Sequence, residues 1–481
     1  MNTKLLKQKI LDLAIRGKLT QQLKTDGTAA DLLKEISFTC HSGAKRSGAI
    51  ESKKSKDLKP IIPIDKSEAP FEIPPNWEWV RLGDLCNVSS GKTPSTSQKQ
   101  FWNGNVLWVT SKDVKQKYID STQICLSDLG ASSMQLYPPK TMIIVGRSGI
   151  LRHTLPVAIL KKSATVNQDL KALVFKDNRI VEFVYAVIKG MEQHLLHEYK
   201  KAGTTVDNLN FDLFLTAPIP LPPLAEQQRI VAKIEEAFAE IDAIEKNKEL
   251  LKTHIKQTRQ KILDLAIHGK LVPQNKSDEP ASVLLERITC DNPHYEKLTD
   301  IPFEIPESWE WVKLGDLVEI NPKNKLDDNL EVSFVPMNLI EAGYSNRHAQ
   351  ESRSWKDVKK GFTHFAENDV ALAKISPCFE NKKSAIMKKL KNGYGAGTTE
   401  LFVFRPLSVL LVSYLLWIVK SDNFIQAGTG NFSGVVGQQR LSRDVVENYP
   451  IPLPPVAEQK RIVDRIEEIF KSLDEISLHL V

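Results

Sequence analysis

Apolar residues recur at seven-residue spacing from Leu224 to Gly269: Ile230, Ala237, Ile244, Leu251 and Leu265 form one stripe, and Ile234, Ile241, Ile255 and Ile262 its neighbour. That spacing predicts a long helix with a coiled-coil seam, interrupted only at Lys248 and Thr258. Pro222, Pro223 and Glu226 mark its start and Gly269 its end, which at 1.5 Å per residue gives a rod of about 70 Å.

The pattern returns, cut in two. Pro218 to Phe238 (PIPLPPLAEQQRIVAKIEEAF) reappears as Pro450 to Phe470 (PIPLPPVAEQKRIVDRIEEIF), and Lys261 to Leu271 (KILDLAIHGKL) reappears as Lys9 to Leu19 (KILDLAIRGKL). In this alignment Val481 stands opposite Glu249 and Met1 opposite Thr253. The heptad continues through Ile462, Ile466, Ile469, Leu473, Ile476 and Leu480 into Leu6, Ile10 and Leu13. The chain reads as a circle opened inside a helix, with one continuous rod lying beside one assembled from the two termini.

Between the helical regions the pattern changes to short apolar runs and turns. PFEIPPNWEWVRLGDL (Pro70 to Leu85) matches PFEIPESWEWVKLGDL (Pro302 to Leu317), and the tryptophans Trp77, Trp79, Trp309 and Trp311 are read as packing groups that seat each domain on the rods. After them the repeat weakens but stays alignable: VLWVTSKDV (Val106 to Val114) with VSFVPMNLI (Val332 to Ile340), TMIIVGRSG (Thr141 to Gly149) with DVALAKISP (Asp369 to Pro377), TVNQDLKAL (Thr165 to Leu173) with GTTELFVF (Gly397 to Phe404), and a helix at Val181 to Lys189 with one at Val409 to Val419. The expected fold class is α+β. Two mixed α/β domains, 70–217 and 302–449, stand in pseudo-twofold arrangement, separated by two long antiparallel coiled-coil helical regions. One helical region is 218–271; the other is split between 1–22 and 450–481, and linkers occupy 23–69 and 272–301.

Composition narrows the class. Hydrophobic residues make up 41% and charged residues 26%, as in a soluble globular protein, and 65 basic against 59 acidic residues leave a net charge of +6 with a pI near 8.8. That surplus suits an anionic partner met by local patches. The stretch Lys45 to Lys59 carries six basic and two acidic residues and reads as a solvated flexible loop, with a non-specific phosphate contact as the alternative. Cys40, Cys86, Cys125, Cys290 and Cys378 are scattered, which points to reduced thiols in a cytoplasm. The N-terminus lacks a signal-peptide core, and Leu407 to Val419 is too short to span a bilayer.

Three motifs tempt and fail. Ser90-Gly91-Lys92-Thr93 ends like a phosphate loop, but Cys86 stands where the first glycine belongs. Asn292-Pro293-His294-Tyr295 resembles a methyltransferase tetrapeptide without its second proline or a glycine-rich cofactor loop, and Glu380-Asn381-Lys382 lacks the upstream Pro-Asp of a nuclease. His194 and His197 lie on a polar helix end and read as surface residues. No catalytic residue and no metal site is expected.

Basic, amide and hydroxyl side chains gather instead at the variable turns. They are Lys92, Thr93, Thr110, Ser111, Lys112, Arg147, Ser148, Arg152, Asn167 and Gln168 in the first domain, and Lys323, Asn338, Lys374, Ser376, Lys382, Lys383, Thr398, Thr399, Gln438, Gln439 and Arg440 in the second. Such groups match phosphates and base edges. Strand formers are shared while strand ends differ, as expected of one fold carrying two binding surfaces.

Two variable domains alternating with helices that carry PLPPLAEQQRIV and PLPPVAEQKRIV resemble the specificity subunit of type I restriction-modification systems, over essentially the whole chain. The resemblance implies a non-catalytic, cytoplasmic reader of double-stranded DNA. Each variable domain would be a target-recognition domain for one half of a bipartite asymmetric site. The helices would carry two modification subunits, which bind S-adenosylmethionine and methylate adenine N6, and restriction subunits, which bind ATP and Mg, would join them; no membrane is involved. Paired readers on a rigid rod favour half-sites about one helical turn apart, roughly 34 Å. Three alternatives are a related system whose partner fuses nuclease and methylase, an orphan methylation system, and a coiled-coil scaffold for proteins.

Overall fold

The heptad stretch forms a helix of 44 residues, Leu224–Ile267. The computed structural model describes residues 2–42, 61–65, 68–203, 206–289, 298, 300–434 and 439–480. The chain divides into two units, Met1–Lys246 and Asn247–Val481, and the long helix contributes its first half to one and its second half to the other.

In the first unit the helix Thr3–Ile15 lies antiparallel to the long helix. Thr3 bonds Glu245 and Lys7 bonds Asp242 at one end, while Arg229 bonds Asp26 at the other. In the second unit the C-terminal helix Val456–Leu478 does the same, with Asp474 bonded to Arg259 and Arg461 bonded to Asp278. Ile230, Ile234, Ile241 and Ile255 of the expected seam are buried, but Ile244 is 49% and Leu251 40% exposed. Thr3 begins opposite Glu245, so Ile244 sits at the end of its cover. The C-terminal helix stops at Leu478, about one turn past the Arg259 bond, which leaves Leu251 beyond it. Further along, the buried face moves to Leu263, Ala266 and Ile267, as 3.6 residues per turn drift away from a seven-residue stripe.

The stretches read as linkers are partly helical. Ala29–Ser42 packs Leu32, Leu33 and Ile36 against the first core, and Ala281–Thr289 packs Leu284 and Leu285 against the second. Thr28, which bonds the backbone N–H and the carboxylate of Asp31, caps the first. The basic run of 45–59 and Asn292 to Tyr295 lie outside the described residues.

Each unit stacks helices, a main sheet and a smaller sheet. The first main sheet orders Cys86–Ser90, Leu170–Phe175, Met142–Val145, Val157–Leu160 and Tyr118–Ile119. The second orders Val318–Ile320, Leu401–Pro406, Val370–Ala373 and Ser384–Ile386. Alternation assigns the faces: Met142 and Ile144 join the core shared with the helices, while Ile143 and Val145 join the core under the smaller sheet. Val370 and Leu372 against Ala371 and Ala373 repeat that division. Burial on both faces explains why these strands read as unbroken apolar runs. In each smaller sheet a parallel pair recurs, Trp102–Val109 beside Ala164–Val166 and Glu331–Phe334 beside Tyr394–Gly397.

A joint seats each domain on its helices, and the repeated Ala-Glu-Gln builds it. Glu226 is buried and accepts the Trp77 indole N–H at 3.0 Å and the Gln22 amide at 2.9 Å. Glu458, also buried, accepts Trp309 at 3.0 Å and Gln274 at 2.5 Å, and burial raises its carboxyl above the ordinary range. The glycines ending the preceding helices, Gly17 and Gly269, adopt left-handed φ of 66° and 65°. A Cβ on either would come within 2.4 Å of Pro74 or Pro306, so the turn needs glycine for both shape and room. Trp79 and Trp311 pack edge-on against Phe71 and Phe303, the packing role read for them.

Candidate nucleic-acid interface

The exposed ends of the main-sheet strands carry the polar groups. In the first domain the strand Met142–Val145 runs through Gly146 into Arg147–Ser148, which pairs antiparallel with Asp207–Leu209, itself flanked by Lys200–Lys201. Arg147 stands directly opposite Asn208. A cleft of about 440 Å³ opens here, and Arg147, Gln168, Lys171, Lys201 and Asn208 line it. Lys171 donates to the Ser90 hydroxyl at 2.7 Å and lies over the Phe211 ring.

A backbone crossing supports the cleft. A Cβ on Gly91 would lie 1.9 Å from the Val166 carbonyl oxygen, so only glycine lets the two chains pass. The Lys92 N–H then donates to that carbonyl at 3.0 Å, and the Thr93 hydroxyl bonds the side-chain oxygen of Gln168. The apparent phosphate loop is thus a packing device that brings Lys92, Thr93 and Gln168 to one edge.

The second domain repeats this backbone with other side chains. Leu209 donates to the Gly146 carbonyl and Leu441 to the Lys374 carbonyl, both at 2.8 Å. Gly146 donates to Asp169 at 2.8 Å, and Lys374 to Glu400 at 2.9 Å. Ile375 therefore occupies the place of Arg147, and it bridges Arg440 as Arg147 pairs with Asn208. Glu400 accepts the Arg440 guanidinium at 2.9 Å through both Nε and Nη2, which holds its own carboxyl below the ordinary range.

With one backbone carrying two polar surfaces, comparison with known proteins becomes decisive. The sequence model described as "Type I restriction modification DNA specificity domain" matches residues 74–253 and 306–479. The chain belongs to that family. Within it, the chain is 47% identical over 238 residues to the type I restriction enzyme EcoAI specificity subunit of Escherichia coli. It is 46% identical over 238 residues to the EcoEI specificity subunit of the same organism. Each match spans 46% of this chain and 40% of the relative's length. The crystal structure of the HsdS subunit from Thermoanaerobacter tengcongensis is similar in fold, with a TM-score of 0.50 at 17% identity, covering 86% of this chain and 94% of that one.

Not every polar residue singled out in this family member is displayed. Lys382 corrects the expectation of a surface contact: it is buried, and its ammonium bonds Asp422, the Tyr344 hydroxyl at 3.0 Å and the Lys420 carbonyl at 2.8 Å. Asn167 is another correction, because it is buried and its side-chain oxygen accepts the Asp169 N–H at 3.2 Å, shaping the turn that leaves Gln168 exposed. Thr398, the counterpart of Asn167, likewise has its hydroxyl buried, while Thr399 is exposed. Lys383 is half-buried and donates to the Met337 carbonyl.

Others cap turns: Thr110 bonds Asp113, Ser148 accepts from Ile150, and Ser376 donates to Glu380. Ser111 is half-buried near Thr110, and the half-buried Gln439 accepts the Ser376 N–H through its backbone. Lys112, Arg152, Lys323 and Asn338 are exposed, with Arg152 lying 3.8 Å from Asp207. Gln438 lies outside the described residues. Lys171, Lys201 and Asn208 went unread in the sequence. Asn208 was within reach, since Leu209 precedes PIPLP by the same interval as Leu441, which aligns Asn208 with Arg440.

Proposed function

We propose that this chain is the DNA-reading subunit of a type I restriction-modification complex and does no chemistry itself. Each domain reads one half of a bipartite asymmetric site, and the helices hold the two readers and dock the modification and restriction subunits. The observation carrying this reading is the contrast between the joints, built alike in both units, and the strand ends, where the same backbone presents Arg147, Gln168 and Asn208 in one domain and Ile375, Thr399 and Arg440 in the other. On this reading S-adenosylmethionine belongs to the modification subunits and ATP with Mg to the restriction subunits, and the chain works in the cytoplasm on double-stranded DNA. Among the described residues no helix is long and apolar enough to cross a membrane.

Methylation-sensitive sequencing of a genome carrying this chain with its modification partner tests the proposal. Adenine methylation should appear at one asymmetric bipartite sequence and vanish when the chain is deleted. A genome with no chain-dependent motif, together with DNA affinity that does not fall as salt is added, would leave a protein scaffold as the better account.

A further inference from the structure

The register that superposes the two domains also shows that charge has changed strands. At the paired position next to the cleft, the first domain has Arg147 facing Asn208 and the second has Ile375 facing Arg440. Each pair holds one guanidinium, on opposite strands. One step inward the same happens with a lysine. Lys171 pairs with Ile144, one position beyond the pairing of Leu170 with Val145, and its equivalent in the second domain is Phe402, one beyond the pairing of Leu401 with Ala373. Gly146 is equivalent to Lys374. Lys171 runs alongside Gly146, its Cγ 3.4 Å from where a Cβ would stand, and Lys374 lies over the Phe402 ring at 5.3 Å. The first domain supplies the ammonium from one strand and leaves a glycine on the other; the second supplies it from the other strand and leaves an aromatic ring on the first.

We propose that these two exchanges have different meanings. The ammonium is kept in both domains whichever strand carries it, so Lys171 and Lys374 are positioning residues that contact a backbone phosphate, a feature common to any half-site. A guanidinium stands one residue further out on the ribbon in each domain, beside an amide in the first and an isoleucine in the second. Its planar fork offers the bidentate geometry of a base edge where an ammonium is a point charge, so Arg147 and Arg440 are specificity-determining residues that contact a base edge. Guanine is the base that a guanidinium reads, through O6 and N7, in a major groove wide enough for a two-stranded ribbon. The carboxylate of Glu400 fixes the direction of Arg440, as bidentate reading requires. Each half-site therefore contains a G·C pair read by its domain's arginine. This inference rests on the DNA-reading function proposed above.

The test uses the complex of the full chain with its modification subunits, acting on a library of duplexes randomised within both half-sites. Arg147→Ala should relax preference at a single G·C pair of one half-site by about 5- to 150-fold, Arg440→Ala should do so in the other, and each should leave the opposite half intact. Arg147→Lys keeps the charge without the fork and should lose the same preference while retaining the parent's salt dependence. Lys171→Ala and Lys374→Ala should weaken all sequences alike and lower the salt slope by about one ion. Arginine variants that weaken every sequence uniformly, or lysine variants that alter base preference, would overturn the assignment. A parent complex with no sequence preference would instead overturn the proposed function, and unchanged melting of Arg147→Lys separates either outcome from misfolding.

Discussion

Trp77 and Trp309 meet Glu226 and Glu458 at the same 3.0 Å, yet Arg147 and Ile375, which hold the same register in their domains, have nothing in common chemically. The first comparison joins buried groups. An indole N–H without its carboxylate is a desolvated donor, so neither partner can change alone without cost. The second joins groups at the ends of strands, where the backbone is held by the ladder and the fold places no demand on one particular side chain. At Arg147 and Ile375 the divergence between the halves thus marks a position where the fold sets no particular side chain.

The joints carry the largest expected losses. Trp77→Ala and Trp309→Ala should each cost about 3–5 kcal/mol, seen as matching losses in thermal or denaturant unfolding. Losses differing by more than a factor of two would mean that the likeness of the two joints is only geometric. A subtler difference hides in the neighbouring glutamines. Gln459 donates to the Val409 and Pro454 carbonyls at 2.9 and 3.0 Å and accepts the Leu411 N–H at 2.8 Å. Gln227 donates to the Pro222 carbonyl at 2.8 Å, and its side-chain oxygen is buried without a partner among the described residues. Gln459→Ala should therefore be more destabilising than Gln227→Ala by about 1–2 kcal/mol, and equal losses would contradict the difference in bonding.

The sequence displayed the joints more clearly than the strand ends. The repeated Trp-Glu-Trp and Ala-Glu-Gln segments, the glycines after the helices and the long heptad all become structure, because buried repeats constrain residue type at each position. Two helices within 23–69 and 272–301 were obscured by the polar residues around Leu32, Leu33, Leu284 and Leu285, whose apolar stripes are only a few residues long. Lys382 could not be recognised as buried from its type. Its partners, Tyr344 and Asp422, are distant in sequence, and only the fold brings them together. Asn208 faces Arg147 through strand pairing, and in the sequence the one signal for it is its interval to PIPLP, which aligns it with Arg440.

The second unit also buries a titratable lysine, with a smaller expected effect. Lys420 is wholly buried, donates to the Gly343 and Lys382 carbonyls at 2.8 and 3.0 Å, and has its pKa pushed down to about 7 by desolvation and then by Lys382. Below pH 7 both the folded and unfolded chains hold this proton. Between about 7 and 10.4 the unfolded chain keeps it and the folded chain releases it, so Lys420 makes folding more favourable as pH rises through that window. Relative to Lys420→Met, the wild-type chain should gain at most about 1.4 kcal/mol per pH unit there. A pH-independent difference between the two unfolding curves would show that Lys420 stays charged.

Each domain is proposed to read one half-site. Replacing Cys86 to Ala217 with the corresponding domain of a relative, then sequencing the methylated genome, tests it directly. One half of the methylated sequence should change and the other should remain as in the parent. Change in both halves, or a palindromic site in the parent, would contradict the claim.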